Sequence, residues 1–223
     1  MSKELFIKAI TRYLMGIIIV GLLLFIPAGT IKYWNAWLFI EVLFIPMFIA
    51  GIVMMVKNPK LLKSRLDIKE KENEQKEVII YSGLMFVIGF ITAGLNFRYT
   101  WMIISDIVVI ISVIIFLISY LLYAEVLREN TYLSRTIKVE EDQKVIDTGL
   151  YGIVRHPMYS ITIFLFLTIP LILGSIPSFI IFLIYPFIII KRINNEEKVL
   201  EKELKGYKEY KNKVKYRLIP FIW

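Results

Sequence analysis

The stretch MYSITIFLFLTIPLILGSIPSFIIFLIYPFIII, residues 158–190, contains no charged side chain and is interrupted only by the turn formers Gly174, Ser175 and Pro177. A helix needs about 20 apolar residues to cross a hydrocarbon core of about 30 Å. The arms 158–173 and 177–190 are both shorter than that. The stretch therefore reads as a helical hairpin in a bilayer, its arms counting as one or two crossings. Upstream, four more apolar segments run over about 12–30, 34–56, 77–97 and 101–126. The expected fold is an all-α integral membrane protein with about six (five to six) transmembrane helices.

Composition agrees. Hydrophobic residues make up 57% of the 223, above the roughly 45–50% usual in soluble domains. There is no cysteine, which excludes disulfides, thiolate metal sites and a cysteine nucleophile. A single histidine, His156, argues against a histidine-rich metal site, and no metal is expected. The N-terminal segment MSKELFIKAITRYLMGIIIVGLLLFIPAGT has the basic start and apolar stretch of a signal peptide. It lacks an obvious small-x-small cleavage site and more spans follow closely, so a retained first span is expected.

Lysine and arginine orient the chain. Three lie up to Arg12, one in the first loop, seven between Lys57 and Lys76, one at Arg98, five from Arg128 to Arg155, and ten from Lys191 onward. Alternate loops thus carry 25 and two. The positive-inside rule puts both termini and both large loops in the cytoplasm. The net charge of +8 follows from that asymmetry and from attraction to anionic lipid, with no nucleic-acid partner implied.

Two regions on this basic side exceed the length of simple connectors. One is RENTYLSRTIKVEEDQKVIDTGLYGIVRHP, residues 128–157, whose β-branched, aromatic and turn-forming residues suggest order. The other is the segment from Lys191 to Trp223. They divide the chain into a four-span membrane region, 1–127, and a second region, 128–223, that holds the residues able to carry chemistry. The loop Lys57–Lys76 is charged and polar, and reads as a solvated connector or a short amphipathic surface helix.

In GLYGIVRHPMY, residues 149–159, His156 has a bland reading as an interfacial ring whose polar tip suits the headgroup region. Pro157 suits a first helical turn, and the free N–H groups of such a turn favour anions. With Gly149, Tyr151 and Gly152 before it, the segment can wrap backbone around a small ligand. Downstream, Arg192 and Glu196 are four apart and share a helix face, as an ion pair worth at most about 0.5 kcal/mol would. Asn194 and Glu197 have capping-box spacing for a restarted helix. Glu197, Glu201 and Lys205 read as a solvated face. Glu41 and Asp106 fall in apolar segments, where a charge at mid-bilayer costs about 2.5–3.5 kcal/mol. Both lie near the non-cytoplasmic ends, and interfacial exposure explains them.

The run VIDTGLYGIVRHPMY, the hairpin, and then KRINNEEKVLEKELKGYKEYKNKVKYRLIPFI resemble the isoprenylcysteine carboxyl methyltransferase family and its bacterial and archaeal relatives. Phospholipid N-methyltransferases are more distant kin. The resemblance covers roughly Asn130 to Trp223, while the first four spans match only in hydrophobicity. It implies a methyltransferase of a prokaryotic cell membrane that encloses S-adenosyl-L-methionine in a cytoplasmic loop and tail. Carried over by position, the cofactor-binding residues are Lys138, the strand-like stretch Gln143, Lys144, Val145 and Ile146, then Tyr151, His156, Pro157, Met158, Tyr159 and Glu196. Arg192 corresponds to a substrate-contacting arginine.

The acceptor implied is a lipidic or isoprenoid-like molecule arriving from the bilayer. If it is a carboxylate, Arg192 or Arg155 can bind it. If it is an amine, Glu196, Glu197 or His156 can act as the base. Two other classes remain open at this point: a sterol-type, nicotinamide-dependent membrane reductase with a related C-terminal pattern, and a non-enzymatic membrane scaffold.

Overall fold

The computed structural model describes residues 3–66, 73–133, 139 and 142–223. Among these, helices α1 (Lys3–Ala28), α2 (Trp34–Lys57), α3 (Pro59–Arg65), α4 (Asn73–Tyr99), α5 (Asp106–Glu129), α6 (Pro157–Ile172), α7 (Ile176–Phe182), α8 (Tyr185–Glu203) and α9 (Tyr207–Lys213) follow in order. A 3₁₀ turn, Gly149–Gly152, precedes α6. No strand forms among the described residues. The chain is an all-α integral membrane protein. Five units are long and apolar enough to cross a membrane: α1, α2, α4, α5, and the stretch Ile176–Glu203 that joins α7 to α8.

The hairpin is asymmetric. Its first arm, α6, has 16 residues, or about 24 Å at 1.5 Å per residue. The second is broken at Leu183 and Ile184, and α8 then runs to Glu203, well beyond the apolar limit near residue 190. α5 begins at Asp106 rather than near 101, because Trp101–Ser105 is irregular. Asp106 therefore sits in a first helical turn, where the dipole favours a carboxylate. Glu41 is exposed on α2.

The hairpin turn shows how a chain in lipid closes its polar accounts. α6 ends in a Schellman motif: Ser175 N–H bonds Pro170 O at 2.9 Å and Gly174 N–H bonds Leu171 O at 3.0 Å, with Gly174 at φ +70°. The remaining carbonyls are met by side chains from two other helices and the α1–α2 loop. Asn35 Nδ2 donates to Ile172 O at 2.9 Å, Asn96 Nδ2 to Gly174 O at 3.2 Å, and the Tyr33 hydroxyl to Leu173 O. With no bulk water in the hydrocarbon, each of these carbonyls needs a protein donor. Ser175 then caps α7, accepting from Ser178 N–H at 3.2 Å.

Aromatic rings and small residues build the core beneath. Phe182 packs edge-on to Phe86 at 5.3 Å, and Phe166 edge-on to Phe86 at 5.0 Å. At Gly94, α1 and α4 approach so closely that an added Cβ would lie 2.6 Å from Leu24 O and 3.1 Å from Ala28 N. Small residues permit such backbone contact between membrane helices.

Of the two readings of the loop Lys57–Lys76, the short amphipathic helix holds for its start, which forms α3 with Lys60 and Lys63 exposed. Asn58 caps α3, accepting from Leu61 N–H at 3.1 Å, and Leu61 and Leu62 are buried. Ser64 Oγ donates to Leu133 O at 3.2 Å, so α3 abuts the long loop after α5.

Gly94→Ala is expected to lower the thermal unfolding midpoint in detergent, with a cost of about 1–3 kcal/mol from overpacking. Gly83, where a Cβ meets nothing within 4 Å, is the control. Gly83→Ala should raise stability by about 0.5–1 kcal/mol through helix propensity. Tryptophan fluorescence on heating distinguishes the two, and equal responses would remove the close approach as their cause.

Candidate functional site

Arg155 and His156 arrive at the bundle's basic end just before Pro157 opens α6. Both are buried, with 6% and 5% exposure. Their N–H groups bond the tail: Arg155 N–H to Tyr216 O and His156 N–H to Arg217 O, each at 2.9 Å. The carboxylate of Glu197, buried at 3% exposure, gathers the side chains. Arg155 Nε donates to its Oε1 at 2.7 Å, and His156 Nε2 lies 3.2 Å from the same oxygen, a contact that the Nε2–H tautomer satisfies. Arg217 Nη2 lies 2.9 Å from Oε2 as an ion pair. Arg155 Nη1 also donates to Val214 O at 2.7 Å and Lys215 O at 2.8 Å.

Glu197 is thus no part of a solvated face. Ile193, four residues earlier, and Leu200, three later, lie on the same side of α8, and that side turns inward. Nor does Asn194 pair with Glu197 in a capping box. α8 runs unbroken through both, and Asn194 Oδ1 accepts from Arg217 Nη1 at 3.1 Å.

Tyr159, three residues into α6, bridges the pair read from sequence as a surface salt link. Arg192 Nε donates to the Tyr159 hydroxyl at 2.7 Å, and that hydroxyl donates to Glu196 Oε2. Arg192 and Glu196 are half-buried, so both leave α8 toward a cleft rather than toward open water.

The loop before α6 forms the opposite wall. Glu129, at the end of α5, accepts from Leu150 N–H at 3.1 Å. Gly149, at φ +52°, has no room for a side chain, since a Cβ would overlap the Glu129 carboxylate at 1.5 Å. The Tyr210 hydroxyl donates to Tyr151 O at 2.8 Å, tying α9 to the 3₁₀ turn. Val145 packs with Leu204, Tyr207 and Tyr210, while Ile146 packs with Val126 and Tyr151. Gln143–Ile146 therefore runs pinned between two apolar clusters. It is not a strand: among the described residues no segment pairs with it in a hydrogen-bonding ladder.

These walls line a cleft whose empty space, open mouth included, is about 800 Å³. Gln143, Lys144, Val145, Ile146, Tyr151, Arg155, His156, Met158, Tyr159, Arg192 and Glu196 all line it. Pro157 is buried at the start of α6 and lies outside that lining. Lys138 lies outside the described residues.

Sequence reasoning missed Asn130, Tyr132 and Leu133 just after α5, and Leu200, Leu204, Tyr207 and Tyr210 from the end of α8 through α9. The second group carried a signal: with Ile193 and Glu197 it continues one stripe at spacings of three and four. Tyr207 is buried, and its hydroxyl has no partner among the described residues. Burial raises its pKa above the ordinary phenol value, so the group stays protonated and offers a donor.

A sequence model of the isoprenylcysteine carboxyl methyltransferase (ICMT) family matches residues 108–202. Over those residues the chain is similar to that family. The match begins within α5, upstream of Asn130, and reaches nearly to the end of α8. The similarity therefore spans the 3₁₀ turn, the hairpin and both Arg192 and Glu196, and takes in much of the cleft wall. No curated protein matches the chain.

Removing Glu197 alone leaves the Arg155 guanidinium buried without its counterion. Glu197→Leu is expected to cost about 3–5 kcal/mol, whereas the double variant Arg155→Met/Glu197→Leu should recover most of it. Unfolding midpoints of the two singles and the double complete the cycle. Additive losses would show that the pair is not coupled.

Proposed function

We propose that the chain transfers a methyl group from S-adenosyl-L-methionine to the carboxylate of a lipid-soluble, isoprenoid-like acceptor that reaches the cleft from the bilayer. The observation carrying this reading is the trio Arg192, Tyr159 and Glu196, which sets a cation and an anion side by side in the cleft wall, one turn beyond the apolar part of α8. The similarity of residues 108–202 to the isoprenylcysteine carboxyl methyltransferase family supports it. The basic end of the bundle, with both termini, faces the cytoplasm of a prokaryotic cell in this reading, where a soluble cofactor is at hand.

The cleft fits such a cofactor in two respects. Leu200, Leu204 and Val145 provide an apolar wall for a flat ring, and the buried Tyr207 hydroxyl is a donor awaiting an acceptor. The loop residues Gln143, Lys144 and Ile146, with Tyr151, His156 and Met158, close around the other side. When bound, S-adenosyl-L-methionine supplies an electrophilic methyl on a sulfonium, whose sulfur keeps the bonding electrons as a carboxylate oxygen takes the carbon.

The protein's own work is largely placement. Arg192 binds and orients the acceptor carboxylate, and Tyr159 holds the arginine in position through Nε. A carboxylate carries no proton to remove, so the chain needs no base on this route. The acceptor loses negative charge as it reacts, so Arg192 contributes alignment rather than added stabilisation of the transition state. Glu196, with one oxygen fixed by Tyr159, would hold the cofactor through its hydroxyl or ammonium groups. Walls drawn from α6, α8, α9 and the loop reduce water at the reacting atoms.

Saturable binding of labelled S-adenosyl-L-methionine to the purified protein is expected, and binding of a nicotinamide cofactor alone would overturn the reading. Arg192→Ala and Glu196→Ala should each lower kcat/KM by about 10²-fold or more with normal membrane insertion, as expected for lost alignment. Tyr207→Phe should weaken cofactor binding by about tenfold, the value of one hydrogen bond, with the acceptor's KM unchanged. Labelled-methyl uptake by prenyl-cysteine analogues against that by phospholipids separates carboxyl from amine transfer.

A further inference from the structure

The tail beyond Val214 ends in an apolar patch that the cleft does not use. Phe221 is 88% exposed, Ile222 77% and Ile219 48%. Phe221 also sits at φ +67°, an uncommon conformation for a bulky residue. The turn is tightly tied. Ile222 and Trp223 N–H both bond Ile219 O, and the N–H groups of Arg217, Leu218 and Ile219 converge on Trp223 O at 2.9–3.1 Å. The backbone is therefore held so that these side chains project outward.

Two independent contacts fix the height of the patch along the bundle. Ser160 Oγ, in the first turn of α6, donates to Leu218 O at 2.6 Å. Phe164 lies four residues further along α6, on the same face and one turn deeper, and is 58% exposed. On α8, Asn194 accepts from Arg217 Nη1 at 3.1 Å, and Ile190, the last apolar residue of that helix's spanning part, is one turn away. Both contacts put the tail at the level where apolar helix surface gives way to charge. Lys215 and Arg217 precede the patch on its polar side.

We propose that Ile219, Phe221 and Ile222 form an interfacial anchor that inserts into the headgroup–acyl boundary of the leaflet at the basic end of the bundle. The patch continues the lipid-facing surface of α6 at Phe164, and its order, cations first and apolar side chains after, is that of interfacial segments. A second protein is the poorer occupant, since three side chains fall far short of the roughly 1,200 Å² that a specific interface buries. The anchor is independent of the catalytic reading and stands or falls without it.

The chain's lack of cysteine makes the test direct. Phe221→Cys and Ile222→Cys, each carrying a nitroxide in phospholipid vesicles, are compared with two references. Phe187→Cys reports the lipid-facing side of α8, where Phe187 is 70% exposed, and Lys208→Cys reports solvent on α9. The ratio of collisions with oxygen to those with a water-soluble nickel chelate measures depth. Ratios at 221 and 222 several-fold above Lys208, and below Phe187, are expected. A ratio equal to that of Lys208 overturns the proposal. So does dipolar broadening between labels on neighbouring copies, which would assign the patch to self-association.

Discussion

One buried carboxylate holds together three parts of the chain that sequence distance separates. Glu197 comes from α8, Arg155 and His156 from the loop before α6, and Arg217 from the tail. A buried carboxylate facing a single cation rarely recovers the cost of leaving water. Here the two oxygens are shared among two guanidinium groups and an imidazole, and Arg155 is further held by two carbonyls. Such a cluster is strongly cooperative, because the loss of any member leaves the others desolvated. The cleft depends on it: with α8, the loop and the tail released from one another, no wall would face another.

The opposite end of the hairpin is held by different means. There the neutral side chains Tyr33, Asn35 and Asn96 meet the carbonyls of residues 172–174. The contrast follows from the surroundings. Amide and hydroxyl donors satisfy backbone at low cost in a nonpolar setting, whereas a cluster of full charges belongs at the rim, where its outer members, such as Lys211, still reach water. α6 is thus fixed at both ends, and Tyr159 keeps one position relative to α8.

The membrane class, the hairpin and the basic side could all be read from residue type alone, since hydropathy and charge act locally. Many residues that line the cleft in segments 143–159 and 192–196 are named too, as what the family resemblance implies. Other features were beyond that reach. The phase of α8 decides that Glu197 turns inward, and charge alone suggested the reverse; Ile193 and Leu200 held the answer. The roles of Tyr207 and Arg217 depend on how the tail folds back, which is tertiary. The Tyr159 bridge needed the spacing between α6 and α8, a distance that no periodicity encodes.

The Tyr159 hydroxyl has a single proton, and it lies between a group that can only donate and a group that accepts when ionised. Its rotor has one low-energy setting. Arg192 must point its Nε hydrogen at the oxygen, and the phenolic hydrogen must point at Glu196. The trio is therefore a small polar chain with a built-in sense, positive toward α8's membrane side and negative one helical turn further on. A ligand meets this field already arranged, and a molecule of reversed polarity meets it as a mismatch. Discrimination between two charged ends of a ligand can thus reside in the direction of one O–H bond.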